Sequence, residues 1–226
     1  MKHLWKKAAA LVLCLAVVFS LSGCGQLSQL IRSGFDATGY VRGILDCTYK
    51  AQFEEYCKLT DATAEEAQDS YDGGIQAEAN TFMNMCGFDT DLVSDQMAER
   101  VEDFYRRVYQ KSNYEVKEAV KSDNGFYVEV VIYPIDIFQL AWDDMKAFAD
   151  DFNQRTEDGE FEEYSQEDFE EAYDLGMIEI CEGYEDQIGY LDPVSVVVTV
   201  SADEDGGYNI SQDDFIRLDE KIIQYN

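Results

Sequence analysis

Carboxylates dominate the chemistry available to this chain. Asp and Glu number 47 against 17 Lys and Arg, giving a formal charge of −30 at pH 7. Paired acids are the equipment of glycoside hydrolysis, one protonated for the leaving group and one ionised. With so many acids some pair always falls at a suitable separation, so composition selects none. The turn Ser201-Ala202-Asp203-Glu204-Asp205-Gly206 has acids spaced as in a calcium loop. An EF-hand loop would need an acid where Ser201 stands and a glutamate where Gln212 stands, and both are missing. A tight hairpin turn is the better reading, with Asp203, Asp205 and Asp213 left as a candidate group for weak calcium binding. No other metal and no cofactor is expected. Fourteen acids lie between Asp143 and Asp174, opposed only by Lys146 and Arg155. They form either a surface for cations and basic partners or a solvated face, and charge runs are usually the second.

Aromatic side chains are the next resource, at 13% with fifteen tyrosines. Tyr133, Trp142 and Tyr173 are candidates for lining a pocket for a sugar or apolar ligand. Most aromatics at helical and strand spacing belong to the core instead. Arg100, Arg106, Arg107, Lys111, Lys117 and Lys121 concentrate basic charge in one short span. They form either a patch for anionic lipid or teichoic acid or, the favoured reading, a means of neutralising acidic neighbours.

The start of the chain sets the compartment. Lys2, Lys6 and Lys7 precede an apolar run from Ala8 to Phe19, too short to span a bilayer and followed by small residues. That is the plan of a secretory signal. Directly after it, Leu21-Ser22-Gly23-Cys24 resembles the lipobox of bacterial lipoproteins. The resemblance implies that residues 1–23 are removed and that Cys24, acylated on sulfur by palmitate-type chains, becomes the first residue. The alternative is an ordinary signal with a chance cysteine.

The leader takes three lysines and no acid, so the mature chain is more acidic still. It should repel nucleic acid and anionic head groups within a Debye length, about 8 Å at physiological salt. The single histidine, His3, leaves with the leader. Ser-His-Asp and Cys-His catalysis and imidazole-ligated zinc are thereby excluded. Of the remaining cysteines, Cys47, Cys57, Cys86 and Cys181 show no CxxC or metal-site spacing. Outside the cytoplasm they have three disulfide connectivities open to them. Each also lies on an apolar stripe, as a buried thiol would.

Periodicity supplies the elements that position these residues. Tyr40, Ile44, Cys47 and Ala51, widened by Val41 and Leu45, predict a helix from Asp36. Phe53, Tyr56 and Cys57 add a short helical turn. Thr63 with Glu66 makes a capping box opening a helix through Ala67, Tyr71, Ile75, Ala79, Phe82 and Cys86, stopped by Gly87. Gly73-Gly74 points to close packing on another helix or to a kink. A helix from Ser94 to Lys111 turns Met97, Val101, Phe104 and Val108 inward. The period then changes to two. Tyr114, Val116 and Val120 predict one strand, Asp123-Asn124-Gly125 a turn, and Phe126, Val128, Val130 and Ile132 a returning strand. Pro134 ends it, Asp136 with Gln139 caps a helix through Phe152, and Asp150 to Glu163 reads as a solvated loop. Ser165 and Asp168 start a helix reaching Ile188. Val194, Val196, Val198 and Val200 form the most β-prone run, returning through Tyr208 and Ile210. Ser211 with Asp214 caps a last helix as far as Ile222.

Two hairpins cannot each bury a face alone, so they join in one antiparallel sheet of about four strands covered by about six helices. The expected fold is α+β, with residues 24–33 a short tether and 34–226 a single extracellular domain.

Three stretches, Phe35-Asp36-Ala37-Thr38-Gly39-Tyr40-Val41, Tyr114-Glu115-Val116-Lys117-Glu118-Ala119 and Tyr133-Pro134-Ile135-Asp136-Ile137-Phe138, resemble a family of uncharacterised lipoproteins. These belong to Gram-positive bacteria, many of them gut anaerobes, and carry a domain of unknown function. The resemblance implies a membrane-anchored extracellular protein and assigns no catalytic residue. A looser likeness is to small helix-on-sheet pocket domains of the NTF2 and cystatin kind. The expectation is a non-enzymatic surface lipoprotein, held to the membrane by its lipid, that binds a small ligand or an envelope partner. A histidine-free carboxylate hydrolase of glycans and a structural envelope protein are the alternatives.

Overall fold

The computed structural model describes residues 34–202 and 207–225. The leader, Cys24, the tether, and Asp203 and Asp205 of the calcium group lie outside them. The helices are α1 (Ala37–Lys50), α2 (Glu54–Thr60), α3 (Ala64–Cys86), α4 (Asp95–Tyr109), α5 (Ile137–Glu157), α6 (Gln166–Glu182) and α7 (Gln212–Asp219). The strands are β1 (Asn113–Val116), β2 (Val120–Ser122), β3 (Gly125–Tyr133), β4 (Val194–Ala202) and β5 (Tyr208–Ile210). The protein is α+β, with one antiparallel sheet ordered β1-β3-β4-β5 and β2 also paired to β3.

Hydroxyl caps fix the helix starts. Ser94, Ser165 and Ser211 each accept from the N–H three residues on, and Thr63 with Glu66 closes the capping box in both directions. Gly87 ends α3 at φ 85°, a left-handed conformation that glycine adopts without a Cβ penalty. α3 runs unbroken through Gly73-Gly74. A Cβ at Gly73 would touch nothing, so close packing does not explain that residue.

β3 and β4 form the long central pair, Val128 opposite Val198 and Val130 opposite Val196. All four, with Ile132 and Val200, are buried against the helices. Gly125 begins β3 where a Cβ would lie 2.0 Å from the Val200 carbonyl oxygen, so only glycine fits there. Phe82 of α3 is the hub of the core, with Phe88, Phe104, Tyr105 and Phe138 rings 5.7–6.2 Å away. At the Gly125 end of the sheet, Phe35 stacks on Tyr208 at 3.9 Å and packs against Phe126.

Several boundaries differ from those the sequence predicts. The strand expected across Tyr114 to Val120 is split into β1 and β2, both on the same edge of β3. Between them the Ala119 N–H donates to Thr38 Oγ1 at 2.9 Å, which takes it out of the ladder. The expected loop from Asp150 to Glu163 is helical as far as Glu157. Its acids face water while Phe152 is buried and stacks on Phe161 at 4.7 Å, and Arg155 bridges Asp151 and Glu160. The helix expected to reach Ile188 stops at Glu182. Lys111 Nζ and Arg107 then hold Glu185 within a short 3-10 turn, Glu185–Gln187. Asp136 stands at the start of α5, but its carboxylate does not cap it; it accepts from the Gly189 N–H at 2.8 Å. The last helix ends at Asp219, because Ile222 and Ile223 cross to Ile135.

Candidate functional site

Two carboxylates sit within the apolar layer where α1, α3, α4 and the end of α7 converge. Glu78 occupies the inward stripe of α3 with Ile75, Ala79 and Phe82, all fully or almost fully buried. Asp219 follows buried Leu218 and precedes buried Ile222. The Tyr49 hydroxyl of α1 donates to Asp219 Oδ1 at 2.7 Å, and the Tyr225 hydroxyl donates to Glu78 Oε2 at 3.1 Å. Tyr105 of α4 lies 2.6 Å from the Tyr225 hydroxyl, extending the chain of hydroxyls. Tyr109 sets its ring edge-on to Tyr49 at 5.1 Å, and Tyr225 lies flat on Phe138 at 4.7 Å. The tyrosines at 49, 105 and 109 are buried, whereas Glu78, Asp219 and Tyr225 keep partial exposure.

Among the described residues no lysine or arginine forms an ion pair with either acid. Around Glu78 stand Asp219, Tyr225 and Tyr109; around Asp219 stand Tyr49 and Glu220. Burial raises both acids above the ordinary carboxylate range. Glu78 is the higher, pushed up to about 8 by burial and then by the Asp219 charge, although hydrogen bonds from Tyr225 and Tyr109 pull it back. Such an arrangement accepts a proton, or the positive end of a ligand, more readily than it holds two negative charges.

A second unusual acid is Asp174 on α6, 1% exposed with Oδ1 lacking any hydrogen-bond partner. Burial, then the charges of Glu170, Asp89 and Glu171, push it up to about 7. Among the described residues no group of three His, Cys, Asp or Glu is arranged to hold a metal.

The aromatic residues singled out from sequence are dispersed. Tyr133 donates to exposed Glu115, Trp142 is exposed on α5, and Tyr173 is half-buried with its hydroxyl on the Cys86 carbonyl at 2.9 Å. No ring contact joins these three among the described residues. Asp213 is exposed in the first turn of α7. Cys47, Cys57, Cys86 and Cys181 are all unpaired thiols in this structure. Burial pushes Cys47 and Cys181 up to about 12 and Cys86 well above its ordinary value, which makes them poor nucleophiles. The arginines are spent on acids: Arg100 on Glu182 at 2.6 Å, Arg107 on Glu182 and Glu185, and Arg106 on Asp72, Glu102 and Asp103. Sequence reasoning passed over Glu78 and Asp219, although each stands in an apolar stripe, Ile75-Glu78-Ala79-Phe82 and Phe215-Leu218-Asp219-Ile222. An acid at such a position is the signal that could have found them.

No family model matches the chain, and no curated protein matches it. The fold has a counterpart among solved structures. It resembles YcdA of Bacillus subtilis, a protein assigned as a lipoprotein. The two superpose with a TM-score of 0.58 at 14% sequence identity, over 84% of this chain and 56% of YcdA. The chain thus spans little more than half of the YcdA structure, and the likeness is one of fold. Among the described residues no helix is long and apolar enough to cross a membrane.

Proposed function

We propose that the protein is a lipoprotein anchored through Cys24 on the outer face of the membrane, and that its α+β domain binds a small ligand or envelope partner without turning it over. The observation that carries the binding reading is the Glu78–Asp219 pair, ringed by tyrosines and without an ion-paired lysine or arginine among the described residues. The ligand group it suits is positively charged or rich in hydrogen-bond donors, such as an amine. The lack of histidine after leader removal and the raised thiols support binding over nucleophilic catalysis. The lipobox and the lipoprotein fold counterpart support the anchor.

Calorimetric titration with mono-, di- and quaternary amines tests the site. Binding by the wild type that weakens at least tenfold in both Glu78→Gln and Asp219→Asn is expected; equal binding by all three refutes it. Cys24→Ser should move the protein from the membrane to the soluble fraction. A second reading is favoured by the same raised carboxyl, which is suited to act as a general acid on a glycan. Hydrolysis of wall glycans that disappears in Glu78→Gln would decide for it.

A further inference from the structure

The described residues leave the outer face of the sheet largely open. Along β3 and β4, Val128, Val130, Val196 and Val198 turn toward the helices and are buried. The residues between them turn the other way and are exposed or half-buried. On that side the register sets Val120 beside Tyr127, Tyr127 beside Thr199, Glu129 beside Val197 and Val131 beside Ser195. Val120, Tyr127, Val197 and Val131 thus form an apolar band running across three strands, diagonal neighbours about 7–8 Å apart. Among the described residues eight large apolar side chains stay exposed, and three of them lie in this band. Val120 is 65% exposed, and Tyr127 and Val197 are each 49% exposed.

Charge is scarce on the same side. The chain carries 47 acids and a net charge of −30, yet the strand residues of this face include only Glu115 and Glu129 as acids. Lys117, whose N–H donates to the Glu129 carbonyl, is ion-paired with Glu115. Two molecules this acidic repel each other wherever their acids meet, but they can approach along this face. A basic partner would be drawn to the acids of the helices instead. The surface of matching chemistry, neutral and apolar with an exposed tyrosine, is the same face of another copy.

We propose that the outer sheet face is a self-association surface, on which two copies pack sheet against sheet about a two-fold axis. Tyr127 and Val197 of each copy meet the band of the other, with the sheets about 10 Å apart. Strand addition at the β4 edge is blocked, because α7 side chains take the place of a neighbouring strand. Asp214 accepts from the Thr199 N–H at 2.7 Å, and Arg217 donates to the Val197 carbonyl at 3.2 Å. β3 and β4 pair over Gly125 to Ile132, and the sheet is four strands wide on its main path. At about 3.3 Å per residue and about 4.8 Å per strand, the face offers about 500 Å² per copy. The pair then buries about 1,000 Å², short of the roughly 1,600 Å² of a stable complex, so the dimer is weak and dissociates at micromolar concentration. Neither the carboxylate site nor a ligand is needed for it.

Sedimentation equilibrium of the whole protein in density-matched detergent tests this, over about 1 to 200 µM. Reversible dimerisation is expected. It should tighten severalfold between about 0.1 and 1 M salt, as the Debye length falls from about 10 to 3 Å and repulsion is screened. Val120→Lys and Val197→Lys should each weaken it at least tenfold. Both lower the net negative charge, so weakening reports lost contact rather than added repulsion. Both side chains are exposed, so the urea midpoint should not move; if either variant folds poorly, Tyr127→Ser replaces it. A monomer at every concentration would overturn the proposal, whether the face is bare or taken by residues 24–33. So would a dimer untouched by both lysines, one weakened by Val197→Lys alone, which would place the contact at the β4 edge, or one weakened by salt.

Discussion

Replacing Asp174 by Asn should stabilise the protein in mildly alkaline solution and lose that advantage in acid. Asp174 is 1% exposed, has one oxygen without a partner, and is pushed up to about 7 by burial and the charges of Glu170, Asp89 and Glu171. The folded protein therefore holds the Asp174 proton more tightly than the unfolded chain. Its contribution is intact below the ordinary carboxylate value and is lost as pH rises to about 7. Each unit of that interval is worth 1.36 kcal/mol, so between pH 5 and 7 the wild type forfeits up to about 2.7 kcal/mol through this residue. Asparagine has no such titration. Its amide hydrogens, buried without an acceptor, cost about 1–3 kcal/mol, but the same amount at every pH. The signature is therefore the difference between conditions. Urea unfolding at pH 5 and pH 8 should show the variant gaining about 2–3 kcal/mol on the wild type between the two. A stability difference equal at both values, within about 0.5 kcal/mol, would refute the account of Asp174 as a buried, proton-dependent acid.

Three further outcomes follow from local geometry. Thr63→Ala removes the side-chain half of the capping box at the start of α3, leaving the residue 63 N–H to Glu66, and should cost about 1 kcal/mol in urea unfolding at neutral pH. Asp214→Ala strands the Thr199 N–H, now held at 2.7 Å, and frees Arg217 from the β4 edge. It should cost about 1–3 kcal/mol and raise self-association in light scattering. Alkylation at pH 8 without reductant should modify half-buried Cys57 well before Cys47 and Cys181, whose thiols are buried and pushed up to about 12; mass mapping that finds Cys181 modified first would contradict the packing.

Local rules made much of the fold legible in the sequence. A hydroxyl before an apolar stripe marked the starts at Thr63, Ser94, Ser165 and Ser211, because capping is decided within four residues. Two runs of period two gave the sheet, since β3 and β4 bury the very faces that alternation marks, Val128 and Val130 against Val196 and Val198. What failed was decided at a distance. Ala119 leaves its strand for a hydroxyl on α1, and Asp136 leaves its helix cap for Gly189. The acids after Asp150 read as loop because Phe152 alone does not reveal that Phe161 folds back onto it. The carboxylate cluster draws on Tyr49, Glu78, Tyr105, Asp219 and Tyr225, spread over most of the chain, so no window of sequence contains it. Tyr133, Trp142 and Tyr173 looked equally suitable by type alone, yet Tyr133 is tied to Glu115, Trp142 is exposed on α5 and Tyr173 packs among Phe88, Phe148 and Phe152.

The ring of Phe35 laid against Tyr208 and Phe126 ties the chain ahead of α1 to one end of the sheet. α1 leaves that contact at Ala37 and brings Tyr49 into place twelve residues on, about 18 Å along its axis. The Phe35 contact and the carboxylate cluster thus stand at opposite ends of α1, one tied to the sheet and the other to the close of the chain's last helix.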